Sequence, residues 1–234
     1  MHNSIGEMYR AGQPKPGARL LAAVSLLNKG RVVADIGCDH GKLAVYLAMA
    51  GIAPHVIAAD VRPLPLAKAA ALVRQTGCKD IVECRLGNGL EPLREGEAHE
   101  VVIAGMSAET IIEILENSPV DITRLHFVFV PASRSELLRC WLLQHGFALE
   151  KEIAIEENGR YYTAFSGLYT GEMVESPSAL LCELGLLCGL KDKASIGYIN
   201  KRAGYLQSRL QAPLPQKEQQ QLQQLLQEVQ QCLN

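Results

Sequence analysis

No charge of either sign dominates this chain. Its 234 residues carry 23 Lys+Arg and 25 Asp+Glu, a formal net charge of −2. A total so balanced argues against a protein that wraps polyanions over its whole surface. It hides a mild asymmetry: residues 41–176 hold 12 basic against 18 acidic side chains, residues 177–234 six against four, and the first forty residues five against three. Any polyanion would therefore meet the two ends more readily than the middle, although ordinary surface charge explains the same numbers. The seven cysteines, at 38, 78, 84, 140, 182, 188 and 232, include no C-x-x-C pair, and their spacing fits no zinc template. Cys84, Cys140 and Cys188 stand in apolar text and read as reduced thiols acting as small hydrophobes. No apolar run approaches 18 residues, and MHNSIGEMYRAGQPKPG has no apolar core of signal-peptide type. These absences predict a reduced, soluble, cytoplasmic protein without a metal site or a membrane partner. What is present, 48% hydrophobic residues, is enough for one good core and a smaller appendage.

The apolar text comes in short alternating blocks. RLLAAVSLLNKG reads as a helix ended by Gly30, RVVADIG as a buried strand, GKLAVYLAMAG as a helix closed by Gly51, and HVIAAD as a second strand. PLAKAAALVRQTG is helical, IVECRLGNG is a third strand, EVVIAGM a fourth, AETIIEILENS a helix and LHFVFVPA a fifth strand. SRSELLRCWLLQHG reads as a helix with a serine cap and a glycine stop, with Trp141 in the core. FALEKEIAIEENGRYYTAFSGLYTG then reads as two strands joined at Glu-Asn-Gly. Regular β-α alternation predicts a mostly parallel sheet covered on both faces, here ending in an antiparallel hairpin. That is the α/β plan of Rossmann-like class I methyltransferases rather than of dinucleotide dehydrogenases. Past Gly171 the composition changes. The text to residue 211 has helical spacing, APLP interrupts it, and a Gln-rich stretch carries Leu222, Leu225, Leu226, Val229 and Leu233 on one stripe. The predicted division is 1–171 for a catalytic domain and 172–234 for a small coiled-coil-like helical domain, a monomer or a weak dimer.

In such sheets ligands sit beyond the carboxyl ends of the strands. Asp35-Ile36-Gly37-Cys38-Asp39-His40-Gly41 leaves the first strand there and enters the first helix of the repeat. A dinucleotide fingerprint G-x-G-x-x-G starting at Gly37 would need glycines where Asp39 and Lys42 stand. The extra carboxylate would also repel a pyrophosphate. Asp35 and Asp39 suit a ligand with a cationic amino-acid end and no phosphate, which describes S-adenosylmethionine. Asp60, followed by Val61, ends the second strand 25 residues after Asp35, where an acid can accept hydrogen bonds from ribose hydroxyls. Gly87-Asn88-Gly89 ends the third strand, and Asn88 can both donate to and accept from an adenine edge. Ala104-Gly105-Met106-Ser107 ends the fourth, facing the transferred group.

These residues resemble the bacterial tRNA adenine-22 N1-methyltransferases of the TrmK type, of which this chain reads as a divergent member. The resemblance rests on RLLAAVSLLNKGRVVADIGCDH, RLGNGLEPLREGE, VVIAGM, LLRCWLLQHGFALEKEIAIEENGRYYTAFSG and the helical tail, and so covers nearly the whole chain. It implies S-adenosylmethionine as cofactor, tRNA as substrate, and a C-terminal helical coil that helps to hold the tRNA. Carried over by position, Asp35, Gly37, Asp39, His40, Asp60, Gly87 and Gly89 would lie at the cofactor. The chain departs from the family at Asp60 and Asn88, near Lys42 and Ala44, at Ser107-Ala108, and at Val130-Pro131-Ala132. The last three clusters lie on the target-base side, so a different acceptor, or a non-catalytic adenosylmethionine- or RNA-binding protein, are the alternatives.

Asp39 is the expected source of a field that stabilises a methylated, positively charged base, with His40 orienting it; a purely structural hydrogen bond from His40 is the other reading. His55, His99, His126 and His145 read as surface residues at turns and element ends. Tyr161 and Tyr162 read as hairpin packing, with stacking on a base as an alternative. Candidate phosphate contacts are Arg10, Lys15 and Arg19, together with Lys191, Lys193, Lys201, Arg202 and Arg209. Lys201-Arg202 and Arg209 recur at helical spacing as a phosphate-facing stripe or a solvated face.

Overall fold

The computed structural model describes residues 15–233. Seven strands form one sheet: β1 (Val33–Ile36), β2 (Val56–Asp60), β3 (Val82–Leu86), β4 (Glu100–Ala104), β5 (His126–Val130), β6 (Phe147–Glu157) and β7 (Arg160–Tyr169). Their order across the sheet is β3-β2-β1-β4-β5-β7-β6. The first five pair in parallel, and β7 inserts antiparallel between β5 and β6. The order reverses between β1 and β4, so the crevice beyond their carboxyl ends is the ligand position of such a sheet.

Strict alternation along the strands divides the core in two. On one face Val33, Val102, Val128 and Val130 pack with α1 (Ala18–Leu26), α2 (Lys42–Met49) and α3 (Pro63–Gln75). On the other, Ala34, Val101, Ile103, Phe127 and Phe129 pack with α4 (Ala108–Glu116) and α5 (Ser135–Gln144). Both faces are covered, which is why β1, β2 and β5 are buried along their whole length. Helix α5 departs from expectation at its start. No serine caps it; Arg134 is the N-cap, in the left-handed region at φ 57°. Trp141 is half-buried rather than core: its ring stacks on His145 at 4.0 Å and its indole N–H donates to Glu116 at 3.0 Å.

The C-terminal helices are α6 (Ala179–Leu184), α7 (Lys193–Arg209) and α8 (Gln216–Gln231), with a 3-10 turn at Gly185–Leu187 and the expected break at 212–215. They form a third core of Leu184, Leu187, Tyr198, Ile199, Leu206 and Val229, against which Leu222, Leu225, Leu226 and Leu233 rest. Ala154 and Tyr161 of the hairpin join that core, so the helices lie on β6 and β7. A buried ion pair fastens them. Arg139 of α5 and Glu152 of β6, neither with an exposed side chain, meet at 2.6 Å. Arg139 also donates to the carbonyls of Cys182 and Glu183 and to Tyr198, while Glu152 accepts from Thr163 and from the Leu186 amide. Every hydrogen-bonding group of the pair is thereby occupied, the condition under which a buried charge is tolerated.

Two further expectations fail in this framework. Cys188 and Cys232 are not free thiols but a disulfide that ties the turn after α6 to the end of α8. His126 is not a surface residue: it is 9% exposed and clamped between Glu100 at 2.6 Å and Glu150 at 2.9 Å. Burial alone would lower its pKa, but the two carboxylates outweigh burial and raise it.

Candidate active site

The loop after β1 is shaped by three left-handed residues, Gly37 (φ 73°), Asp39 (φ 49°) and Gly41 (φ 70°). The amides of Gly37 and Cys38 both donate to the Ala59 carbonyl, at 2.8 and 2.9 Å, which fastens the loop to β2. Close packing on α3 gives a second reason for glycine at position 41, whereas the flexible Met106 tip beside Gly37 can shift. A Cβ on Gly37 would collide with the Met106 side chain, and one on Gly41 would stand 2.8 Å from Ala69 of α3.

Two acids sit at the floor. Asp35 is 3% exposed, and its Oδ2 has no hydrogen-bond partner among the described residues. Burial, then the nearby Asp60 charge, lifts its pKa to about 7, against a lowering contribution from the Ala44 amide. Asp60, equally buried, is fully engaged: Oδ2 accepts from the Asp39 amide at 3.0 Å, and Oδ1 from the Arg62 amide at 2.8 Å and its Nε at 3.3 Å. Asp39 is half-exposed, with His40 Nδ1 at 2.5 Å on one oxygen and Arg62 at 3.4 Å on the other. The expected orienting contact of His40 on Asp39 is therefore present as geometry.

The other strand ends close the space. Gly87 lies against Pro92 and Gly89 (φ 53°) against Ile114, so neither could carry a side chain unshifted. Asn88 gives its amide N–H to Glu91. After β4, Gly105 donates to the Val130 carbonyl at 2.9 Å, and the Ala132 amide donates to Met106 at 2.8 Å. Ser107 caps α4 by accepting from the Thr110 amide, and the Ala108 amide donates to Ser133. The sequence departures at 107–108 and 130–132 thus fall on one laced double loop.

Together these ends enclose a cleft of about 720 Å³, well sized for a cofactor. The structure brings every expected site residue to it: Asp35, Gly37, Cys38, Asp39, His40, Asp60, Val61, Gly87, Asn88, Gly89, Ala104, Gly105 and Met106 all line its wall. Burial and the Asp35, Asp60 and Asp39 charges push the Cys38 thiol far up, which disfavours the thiolate. Sequence reasoning missed the far wall, formed by Arg19 and Leu20 of α1 and by Glu157 and Asn158 at the hairpin tip. Arg19 and Glu157, 138 residues apart, pair at 2.6 Å, and the guanidinium lies 4.6 Å from the Tyr162 ring centroid. It also missed Arg62, although an arginine two residues after a strand-end acid was a readable signal.

The expected polyanion contacts fare differently. Arg10 lies outside the described residues, Lys15 is exposed, and Arg19 belongs to the cleft wall. The stripe of Lys201, Arg202 and Arg209 is broken, because Arg202 is 12% exposed between Glu183 and Glu136. The Tyr162 ring carries Arg19 at 4.6 Å and Lys201 at 5.6 Å from its centroid, and Tyr161 packs on Gly197 of α7.

No helix among the described residues is long and apolar enough to cross a membrane. A family model described as a methyltransferase domain matches residues 17–165. The chain is 32% identical over 149 residues to the tRNA (adenine(22)-N(1))-methyltransferase of Bacillus subtilis; the match spans 63% of this chain and 63% of that relative. The Streptococcus pneumoniae protein Sp1610, crystallised in complex with S-adenosyl-L-methionine, superposes with a TM-score of 0.80 at 28% identity, over 92% of this chain and 98% of its own. The crystal structure of the Bacillus subtilis M1A22 tRNA methyltransferase TrmK superposes with a TM-score of 0.81 at 24% identity, covering 94% of this chain and all of the other, and so shares the fold. The methyltransferase model runs from the start of α1 to the last hairpin strand and takes in every strand end that lines the cleft. The chain belongs to the methyltransferase-domain family.

Proposed function

We propose that this protein is an S-adenosylmethionine-dependent methyltransferase that modifies N1 of adenine 22 in tRNA. The observation that carries the reading is the buried Asp35 carboxylate, unpartnered at one oxygen on the wall of the cleft. A buried acid left without a donor is costly, and a cationic amino-acid group is the ligand chemistry that relieves it. The residues fit the cofactor on that ground. Asp35 would meet its ammonium, Asp60 its ribose hydroxyls once Arg62 yields a lone pair, and Asn88 with Val61 its adenine. The similarity to the Bacillus subtilis enzyme over residues of this same domain supports the acceptor.

Bound there, S-adenosylmethionine supplies a methyl group activated for displacement by its sulfonium. The chain's own residues need only position and stabilise, because adenine N1 already offers a lone pair in the ring plane. Gly105 and Met106 form the rim on which the acceptor edge rests. Asp39, held by His40 and Arg62, faces the same space and stabilises positive charge developing on the base. In this reading residues 1–171 carry the transfer and 172–234 form the helical attachment, and the work is cytoplasmic, where tRNA is modified.

The test is transfer of radiolabelled methyl to bulk tRNA, with digestion and mass spectrometry to locate it. The expected product is 1-methyladenosine at position 22. Asp35→Ala and Asp60→Ala should each weaken cofactor binding at least tenfold, about 1.4 kcal/mol. Unchanged affinity in both would sink the site assignment, and cofactor binding without labelled tRNA would sink the acceptor.

A further inference from the structure

The tail helices are the part of the sequence expected to meet tRNA phosphates, yet three of the six cations there are already paired with carboxylates. Arg202 is paired with Glu183 at 2.5 Å and Glu136 at 3.3 Å, Arg209 with Glu218 at 2.7 Å, and Lys193 with Glu156 at 2.9 Å. Lys191 donates to the Leu233 carbonyl at 3.2 Å, a contact that leaves its charge unneutralised but ties it to the chain just past α8 rather than to the hairpin that Lys201 meets. Helix α8 offers one lysine, Lys217, and two glutamates, Glu218 and Glu228, among neutral glutamines. Phosphate binding draws its free energy from releasing condensed counterions onto free cationic groups. Cations already neutralised by carboxylates contribute little to it.

Unneutralised charge also stands where α7 meets the hairpin. Arg160 opens β7 at the hairpin tip, two residues beyond Asn158 in the cleft wall, and is exposed. Its register partner across the hairpin is Glu157, but that carboxylate is held by Arg19 instead. Lys201 of α7 donates to the Tyr161 carbonyl at 2.7 Å and stands 5.6 Å from the Tyr162 ring centroid. Neither Arg160 nor Lys201 has a carboxylate partner among the described ion pairs. Burial, then the charges of Arg202 and Arg160, lowers the pKa of the Lys201 ammonium, so Arg160 and Lys201 share one field. Like charges held together oppose each other in the free protein, and an anion between them removes that cost. The group adjoins the cleft through Tyr162, whose ring Arg19 also covers from the cleft wall.

We propose that the hairpin tip and the adjoining face of α7, through Arg160 and Lys201, seat the phosphates of the tRNA strand that enters the cleft, and that α8 is not the RNA handle. The inference rests on the tRNA-methyltransferase reading. Because Arg19 and Lys201 both stand over the Tyr162 ring and Tyr161 is packed on Gly197, contact here is with the backbone rather than with bases, and it is steeply salt-dependent.

The experiment measures binding of bulk tRNA to the full chain over a salt series, alongside calorimetry with S-adenosylmethionine. Arg160→Glu and the milder Lys201→Gln should each weaken tRNA at least fivefold near 50 mM salt and flatten the log–log salt slope by about 0.7–0.9 per lost contact. Lys217→Glu on α8 should stay within twofold, and cofactor affinity should be unchanged in all three. Wild-type-like tRNA binding by both cation variants overturns the proposal, as does a larger loss in Lys217→Glu. If wild type binds the cofactor but no tRNA at low salt, the acceptor reading falls together with this one. Binding that survives in the variants refutes only the location.

Discussion

Replacing Asp35 by asparagine should stabilise the ligand-free protein in a manner that depends on pH. The carboxyl titrates near 3.8 when exposed and near 7 in the fold, where burial disfavours its charged form. Below about pH 3 both states hold the proton and the group contributes nothing to the pH dependence. As pH rises from 4 to 7, the unfolded chain ionises while the folded one does not, so the unfolded state binds fewer protons and folding stability falls. One pKa unit is worth about 1.4 kcal/mol, so the cost grows by roughly 3 kcal/mol between pH 5 and pH 8. Asparagine cannot ionise. Its amide would keep a fixed cost of about 1–3 kcal/mol for an unmatched donor, equal at every pH. The difference between variant and wild type, from urea unfolding at pH 5 and pH 8, should therefore move by about 3 kcal/mol in the variant's favour. A difference flat to within about 0.5 kcal/mol would refute a buried neutral Asp35. The proposed cofactor should reverse the ranking: its ammonium favours the carboxylate, so saturating S-adenosylmethionine at pH 8 should stabilise wild type and leave Asp35→Asn unmoved.

His126→Ala should destabilise by about 3 kcal/mol, because Glu100 is then left buried with only Asn28 as donor. The raised His126 pKa means its charged-state stabilisation is fully present below the ordinary 6.5 and is lost as pH rises through the folded value, so the deficit measured by urea should narrow in alkaline buffer. Arg139→Ala strands Glu152 and should cost about 3–5 kcal/mol; limited proteolysis should show earlier cutting in the 170–178 connection as the helices loosen. Cys188→Ser opens a link across 44 residues and should lower stability by up to about 4 kcal/mol, while added reductant should act on wild type and not on the variant. Gly37→Ala forces a positive φ and a clash with Met106, so it should weaken cofactor binding more than it lowers the melting temperature, with partial rescue by Met106→Ala.

Much of this arrangement was legible in the chain because its signals are local. Period-two and period-3.6 spacing give β1 to β5 and their helices, Asn158-Gly159 gives the hairpin turn, and the glycines at 37, 41, 87 and 89 mark where backbone must bend or approach closely. Strand ends in a doubly covered sheet face one crevice, so naming the strands also named Asp35, Asp60, Asn88 and Gly105 as neighbours. What failed was pairing at a distance. His126, Glu100 and Glu150 are brought together by strand packing and look like three unrelated element ends in the text. Cys188 and Cys232 belong to no motif, and their encounter depends on how α8 folds back. Arg202 looked like a surface cation because helical spacing says which face a residue is on, not what acid lies opposite.

The sequence by itself determined the mostly parallel sheet with its terminal hairpin and the residues at the floor of the cleft, since these follow from periodicity and from where strands end. Only the tertiary structure decided the far wall of Arg19 and Glu157, the raised pKa of Asp35 and the division of the cations into paired and free. Those depend on distance and on exclusion of water, and both exist only once segments remote in the chain have packed.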